Sequence, residues 1–455
     1  MWDLPNRHDT GFDVTCGLYY CVSHRYGREA HDRGTMVRRR VVAGLMMVIV
    51  LVGALGLMRH TAMGPILYTV TLGQSPTSLA LQEGRAFVGQ SGSIRVLDSR
   101  TGTSLYTVPA GPWPATMTVD RRARRIIVAD STAIDVLAAQ RGGAPRTLQV
   151  GQNLGAVAVD ERGGHIFATR YDPMRSKGSL LVFDMRTGHL LLTRSISSSP
   201  LNVVVDTSVN RLVIATSNSA GDEVVQTYDL VSGRLLRAVM TGVAPPGRTP
   251  GAIAVDAQTA RIFVINSGEN TVSMLDVRDG ALLRTMAVGQ SPEALAIDKH
   301  TGRVFVINSA TDSYGVPTDQ GSVTVLDAHS GTIRGTIPVG WGPKAVAIDE
   351  QRGRVVIVNT NIGDDRAPRG NGTLTVLDAR NGAVQRTISA GVAPIAAAVD
   401  EQTGHALVLN AGGTVRVPGA WGWMQWVRRW LPFSPSFGPQ TRTVPPSVSA
   451  IDVTR

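Results

Sequence analysis

The stretch that decides the fold runs from Gly289 to Pro338. It opens on Gly289-Gln290-Ser291-Pro292, continues as the apolar run Ala294–Ile297, and turns through Asp298-Lys299-His300-Thr301-Gly302. A second run, Arg303–Asn308, leads into a loop. A third, Ser322–Leu326, ends in Asp327-Ala328-His329-Ser330-Gly331, and a fourth, Thr332–Pro338, closes the unit. The runs are short, rich in Val and Ile, and bounded by Gly-bearing turns, which predicts four antiparallel strands. A four-stranded unit of about 40–50 residues that recurs is the pattern of a propeller blade. One such sheet cannot cover both of its faces, so it must stack on copies of itself.

The copies are there. First strands end near Leu81, Val119, Val159, Val205, Val255, Ile297, Ile348 and Val399. From the second unit on, an aspartate follows each: Asp120, Asp160, Asp206, Asp256, Asp298, Asp349 and Asp400. Third strands end at Asp98, Asp184, Asp229, Asp276, Asp327, Asp378 and Asp452, while the second unit is degenerate there, reading Ile134–Ala138. The last unit stops after its third strand, Ser447–Val453, and the repeats begin with an orphan fourth strand, Ile66–Thr71. Pairing those two segments completes an eighth blade and removes two open sheet edges. The expectation is an all-β, eight-bladed propeller closed by its own ends.

These units resemble the YVTN-repeat β-propeller family. The Tyr-Val-Thr-Asn run of that family corresponds to Phe263-Val264-Ile265-Asn266, Phe305-Val306-Ile307-Asn308, Val356-Ile357-Val358-Asn359 and Leu407-Val408-Leu409-Asn410. The likeness covers residues 66–455 and is strongest from 242 to 412. It implies an extracytoplasmic or surface protein with a binding role and brings no catalytic residue. Seven blades are common in such propellers; the count of eight departs from that number.

Residues 1–40 are polar and lack a period. Met36-Val37-Arg38-Arg39-Arg40 then precedes the uncharged, mostly apolar run Val41–Met58. At about 1.5 Å per residue that run matches the hydrocarbon core of a bilayer. The triple arginine before it, against Arg59 alone just after, places the N-terminus in the cytoplasm and the propeller outside. A cleaved signal peptide is the rival reading, but Ala54-Leu55-Gly56 is a poor cleavage site, so an uncleaved anchor is expected, with 59–65 as a tether. Met36 is the expected true start, which would remove the first 35 residues and both cysteines, Cys16 and Cys21. No disulfide can then staple the repeats.

The chain has 455 residues and a formal charge of +10 carried almost wholly by arginine, with only Lys177, Lys299 and Lys344 as lysines. No basic block with interleaved aromatics occurs, which argues against a nucleic-acid-binding propeller. The repeated aspartates read as turn chemistry: Asp accepts backbone N–H bonds and Gly takes the positive φ. His165, His189, His300, His329 and His405 all fall in turns of one rim and do not converge on a metal site or a Ser-His-Asp triad. No metal or cofactor is expected, and an enzyme of lactonase or dehydrogenase-subunit type is the weaker alternative.

The opposite rim carries the elaborated loops Ala310–Gly321, Thr360–Gly372 and Ala411–Pro446 on three adjacent units. Long loops gathered on one rim suggest a binding surface. Its candidate residues are Trp113, Trp341, Tyr314, Asp364 and Asp365, together with Trp423, Trp426 and Trp430 of a Trp-rich insertion spanning about 413–445. On a helix those last three tryptophans share one face, which suits a membrane interface, a partner groove, or packing on the chain's own blades.

Overall fold

The computed structural model describes residues 66–454, apart from 141–144, 197, 219, 244–251, 313–314, 364 and 418–439. Residues 1–65, with the apolar segment Val41–Met58, lie outside the described residues. Those described build eight four-stranded antiparallel sheets and one two-stranded hairpin, with no helix. Each sheet is a blade, and its strands are lettered A to D from the axis outward. The A strands neighbour one another in sequence, from Pro76–Gln82 in blade 1 round to Pro394–Asp400 in blade 8, and the last returns to the first. The protein is an eight-bladed β-propeller.

The opening stretch is blade 6, with strands Pro292–Asp298, Arg303–Asn308, Gln320–Asp327 and Ile333–Trp341. Its D strand runs three residues beyond the expected end at Pro338, so Trp341 belongs to a strand rather than to the turn after it. Blade 8 is completed as the sequence demands. Ile66–Thr71 pairs antiparallel with Ser447–Asp452, with Thr69 opposite Ser449 and Thr71 opposite Ser447. The Thr69 and Ser449 hydroxyls meet at 3.0 Å, and the Leu72 amide donates to the Pro446 carbonyl at 2.8 Å. Tyr68 then reaches into blade 1, where its hydroxyl donates to the Ser99 carbonyl at 2.5 Å.

The core is divided among the seams. Eight clusters of buried apolar side chains each join two successive blades. The seam between blades 8 and 1 packs Leu407, Leu409 and Val448 against Ala86, Val88 and Leu97, like any other. Phe87, Phe263 and Phe305 are wholly buried at their seams. Strands with both faces covered need near-continuous apolar runs, and the B and C strands supply them, as Arg303–Asn308 shows with five of its residues buried in a row.

The charge pattern also finds its purpose here. Arginines that open the B strands cross the seams: Arg85 donates to the Ala139 carbonyl at 2.6 Å, Arg125 to Met185 at 3.0 Å and Arg354 to Val453 at 2.7 Å. Arg211 and Arg261 pair with Asp229 and Asp276 at 3.2 and 2.9 Å. Those two pairs hold the B and C strands of a single blade together, while Arg211 also donates to the Arg278 carbonyl of the next blade at 2.7 Å. The turn aspartates behave as expected: the Asp327 carboxylate accepts from the His329 and Ser330 amides at 3.1 and 2.8 Å, while Gly331 takes φ 69°. The Arg334 guanidinium, together with these donors, holds its pKa well below the usual carboxylate range.

Candidate functional site

The B–C and D–A connections share one rim, and three adjacent blades raise hairpins there. In blade 6, Thr311 bridges Pro317; in blade 7, Ile362 bridges Pro368. The two loops start alike, on Ala310 and Asn361 with φ 49° and 55°, and close alike, with Thr318 donating to the Ala310 carbonyl and Arg369 to that of Asn361. Blade 8 extends the theme into a true hairpin, Gly413–Val417 with Gln440–Val444. Each loop leans on the next blade. Pro317 stands 3.3 Å from where a Cβ on Gly342 would lie, and Pro368 stands 3.3 Å from the same point on Gly413. A side chain at either place would press on the neighbouring loop, and at Gly342 it would first meet the Thr360 hydroxyl.

Between them lies a cavity of about 150 Å³, walled by Pro317, Pro343, Ile362 and Ile395 and floored by Thr311 and Thr360. The Glu293–Lys344 ion pair, 2.8 Å, borders it. The walls are apolar and the border charges pair with each other, so the cavity suits an apolar group. Trp341 stands nearby under the Arg369 guanidinium, 4.7 Å from its ring centre, a cation–π pair that fixes both side chains at the rim.

The predicted site residues divide. Trp341 and Asp365 belong to the blade 6–7 sector. Trp113 is 55 % exposed on the blade 1–2 connection and is not brought to them. The Asp365 carboxylate accepts the Ala367 amide at 3.0 Å, and Asp312 accepts that of Val316 at 2.9 Å, so these acids help to close their own loops. Tyr314, Asp364, Trp423, Trp426 and Trp430 lie outside the described residues. Among the described residues no group of three His, Cys, Asp or Glu could hold a metal ion. The histidines are scattered, with His165 3.5 Å from Asp160 and His300 3.8 Å from Glu350.

The asparagines ending the B strands are buried structural groups. Asn308 donates to Ser322 and Thr324 at 3.1 and 3.0 Å, and Asn359 to Thr373 and Thr375 at 3.1 and 2.9 Å. One rim residue escaped the sequence reading. Glu223 is the second residue of the C strand of blade 4 and is 1 % exposed, and among the described residues neither carboxylate oxygen has a hydrogen-bond partner. Burial, aided by the charge of Glu269, pushes its pKa up to about 7. In blades 3, 6 and 7 the same place is Gly178, Gly321 or Gly372, where a Cβ would run into Pro200, Pro343 or Pro394 of the next blade. The glutamate where aligned blades carry glycine is the signal that was available.

No protein-family model matches the chain, and no curated protein matches its sequence. Solved structures do resemble it. A europium-containing methanol dehydrogenase superposes with a TM-score of 0.58 at 10 % identity, over 85 % of this chain and 93 % of that one. BamB from Moraxella catarrhalis superposes with a TM-score of 0.52 at 11 % identity, over 76 % of this chain and 96 % of that one. At such identities the likeness establishes a β-propeller fold and nothing finer.

Proposed function

We propose that this chain is a membrane-anchored, extracytoplasmic binding module of the YVTN-repeat kind, which engages a partner protein through the loop rim of blades 6 to 8. One observation carries the reading: three successive blades raise hairpins, those of blades 6 and 7 flank an apolar cavity, and the corresponding connections of blades 1, 2 and 5 are tight. A cavity of about 150 Å³ fits one large apolar side chain, the kind of anchor on which protein interfaces concentrate their affinity. Membrane attachment rests on the apolar run Val41–Met58 behind three arginines.

Site-specific photo-cross-linking in the native host tests the surface. A benzophenone residue in place of Ile362 should give one discrete adduct. The same residue in place of Val231, 83 % exposed in a C–D turn of the other rim, should give none. Equal labelling at both positions would remove the rim from consideration. Attachment is tested by fractionation: the whole chain should sediment with membranes, and deletion of 41–58 should release it.

A further inference from the structure

The D strands are the outer edge of the ring, and each begins at the rim of A–B and C–D turns. In three adjacent blades their composition changes along their length. Leu190-Leu191-Leu192 precedes Thr193 and Arg194 in blade 3, Leu235-Leu236 precedes Arg237 in blade 4, and Leu282-Leu283 precedes Arg284 in blade 5. The leucines stand at the rim and the arginines follow, further along the strand.

These leucines are bare. Leu191, Leu235 and Leu283 are 54, 42 and 45 % exposed, and Val231, in the blade 4 turn between the first two, is 83 % exposed. Packing joins the blades at this level: a Cβ on Gly233 of that turn would stand 3.5 Å from Leu192, and Arg237 crosses to the next turn, where it donates to the Asp279 carbonyl at 3.0 Å. Blades 3, 4 and 5 thus share one exposed apolar band, whereas blades 1, 6, 7 and 8 each add a single exposed aliphatic residue to the same rim. An apolar band bordered by charge marks a contact surface. The border is cationic on its outer side. Asp184 and Asp229 are half-buried on their own turn amides, while Arg186 and Arg234 beside them are exposed. Arg194 lies over the Tyr228 ring and Arg284 donates to the Ser330 carbonyl, so both keep their charge.

The entry point of the chain decides what covers the band. The ring begins at Ile66, the start of the blade 8 D strand, and so on this same rim. In a ring of eight, blade 8 stands across from blade 4. Residues 59–65, between the apolar run Val41–Met58 and that strand, can span at most about 25 Å. An anchor at 41–58 therefore holds this rim, rather than the hairpin rim, beside the bilayer.

We infer that the leucine band of blades 3 to 5 inserts into the surface of the bilayer that carries the anchor, an inference that rests on the anchoring proposed above. The leucines enter the boundary of headgroups and acyl chains, and the arginines behind them meet lipid phosphates. With the tether at blade 8 and the band across the ring, the propeller lies flat on the membrane and turns its hairpins away from it, toward soluble partners.

The full-length chain carrying Cys16→Ser and Cys21→Ser tests this, reconstituted in vesicles of phosphatidylcholine and phosphatidylglycerol in equal parts. An environment-sensitive fluorophore on Leu191→Cys should lose about half of its emission or more to spin-labelled lipid, since an interfacial apolar face sits about 5–10 Å into that boundary. The same fluorophore on Met174→Cys, 95 % exposed on the B–C loop of the same blade, should lose none. Leu190→Asp, Leu235→Asp and Leu283→Asp together, all at exposed positions, should abolish the quenching on Leu191→Cys while the chain still sediments with the vesicles. A sedimenting chain whose Leu191→Cys label is quenched no more than its Met174→Cys label would overturn the inference and leave the anchor standing. A chain that stays in solution would remove the anchor and the inference with it. A protein adduct from the benzophenone at Val231 would mean that a partner or a second copy covers the band, and would overturn the inference as well.

Discussion

The two rims of this propeller are made by the same eight blades under different rules. On the rim of A–B and C–D turns, aspartates and glycines recur from blade to blade, and Asp184 with Gly188, Asp229 with Gly233 and Asp327 with Gly331 make the same bonds. On the other rim the B–C connections range from the two-residue turn of blade 1 to the long loops of blades 6, 7 and 8, and those of blades 6 and 7 are alike. Repetition marks what each blade needs in order to fold; departure from it marks where the chain has been adapted. The three departures are the nested hairpins, the two-residue A–B turn Glu83-Gly84 of blade 1, where the other seven blades have four residues, and Glu223. Each stands out because its neighbours show the default.

The comparison can be broken at several strengths. The strongest blow is to the shared ring. Deleting 66–71 strips blade 8 of its outer strand and Tyr68 of its anchor on Ser99, and should abolish the cooperative thermal transition of the propeller. A folded, monomeric deletion variant would show that the ring does not need its seal.

Next comes a single seam. Phe305 is wholly buried between blades 6 and 7, so Phe305→Ala should cost about 3–5 kcal/mol by urea titration. A loss below about 1 kcal/mol would mean the seams are not the core.

Glu223 sharpens the contrast between rims through pH. Its ordinary value is 4.5 and its folded value about 7, so the folded state holds a proton that the unfolded chain releases. Stability should therefore be greatest below about 4.5 for this group, fall as pH rises to 7, and stay low above it. The full shift corresponds to about 3 kcal/mol. Glu223→Gln should raise the melting temperature at pH 8 and leave it unchanged at pH 4. An equal effect at both pH values would show that ionisation is not the cause.

The smallest effect is expected on the hairpin rim itself. Arg369→Ala removes a stacked cation from Trp341 and should cost about 1 kcal/mol or less, while quenching or shifting the tryptophan emission.

Much of the ring was legible because it is written eight times. Val-rich strands, Asp-to-Gly turns and the surplus strand at Ile66–Thr71 each follow from local chemistry, and the count of surplus strands forces closure. The sites were less legible because blades from distant parts of the chain build them. The hairpin cavity needs Pro317, Pro343, Ile362 and Ile395 to meet across three blades, and no spacing in the sequence encodes that meeting. Aromatic residues drew the eye to Trp113, which the ring places in another sector from Trp341. The A–B turn of blade 1 shows in the sequence as Gln82-Glu83-Gly84, two residues shorter than every other turn of its kind, but that Asp400 is half-buried while the matching aspartates of blades 2 to 7 are buried appears only when blades 8 and 1 are side by side.

The central claim is that the chain's own ends close the ring. Thr69 and Ser449 face each other across that closing pair, their hydroxyls 3.0 Å apart. In the double variant Thr69→Cys, Ser449→Cys, mild oxidation should join the two positions in nearly every molecule, as a single linked peptide after digestion. Both cysteines remaining free in the folded protein, or linking only between molecules, would contradict the closed ring.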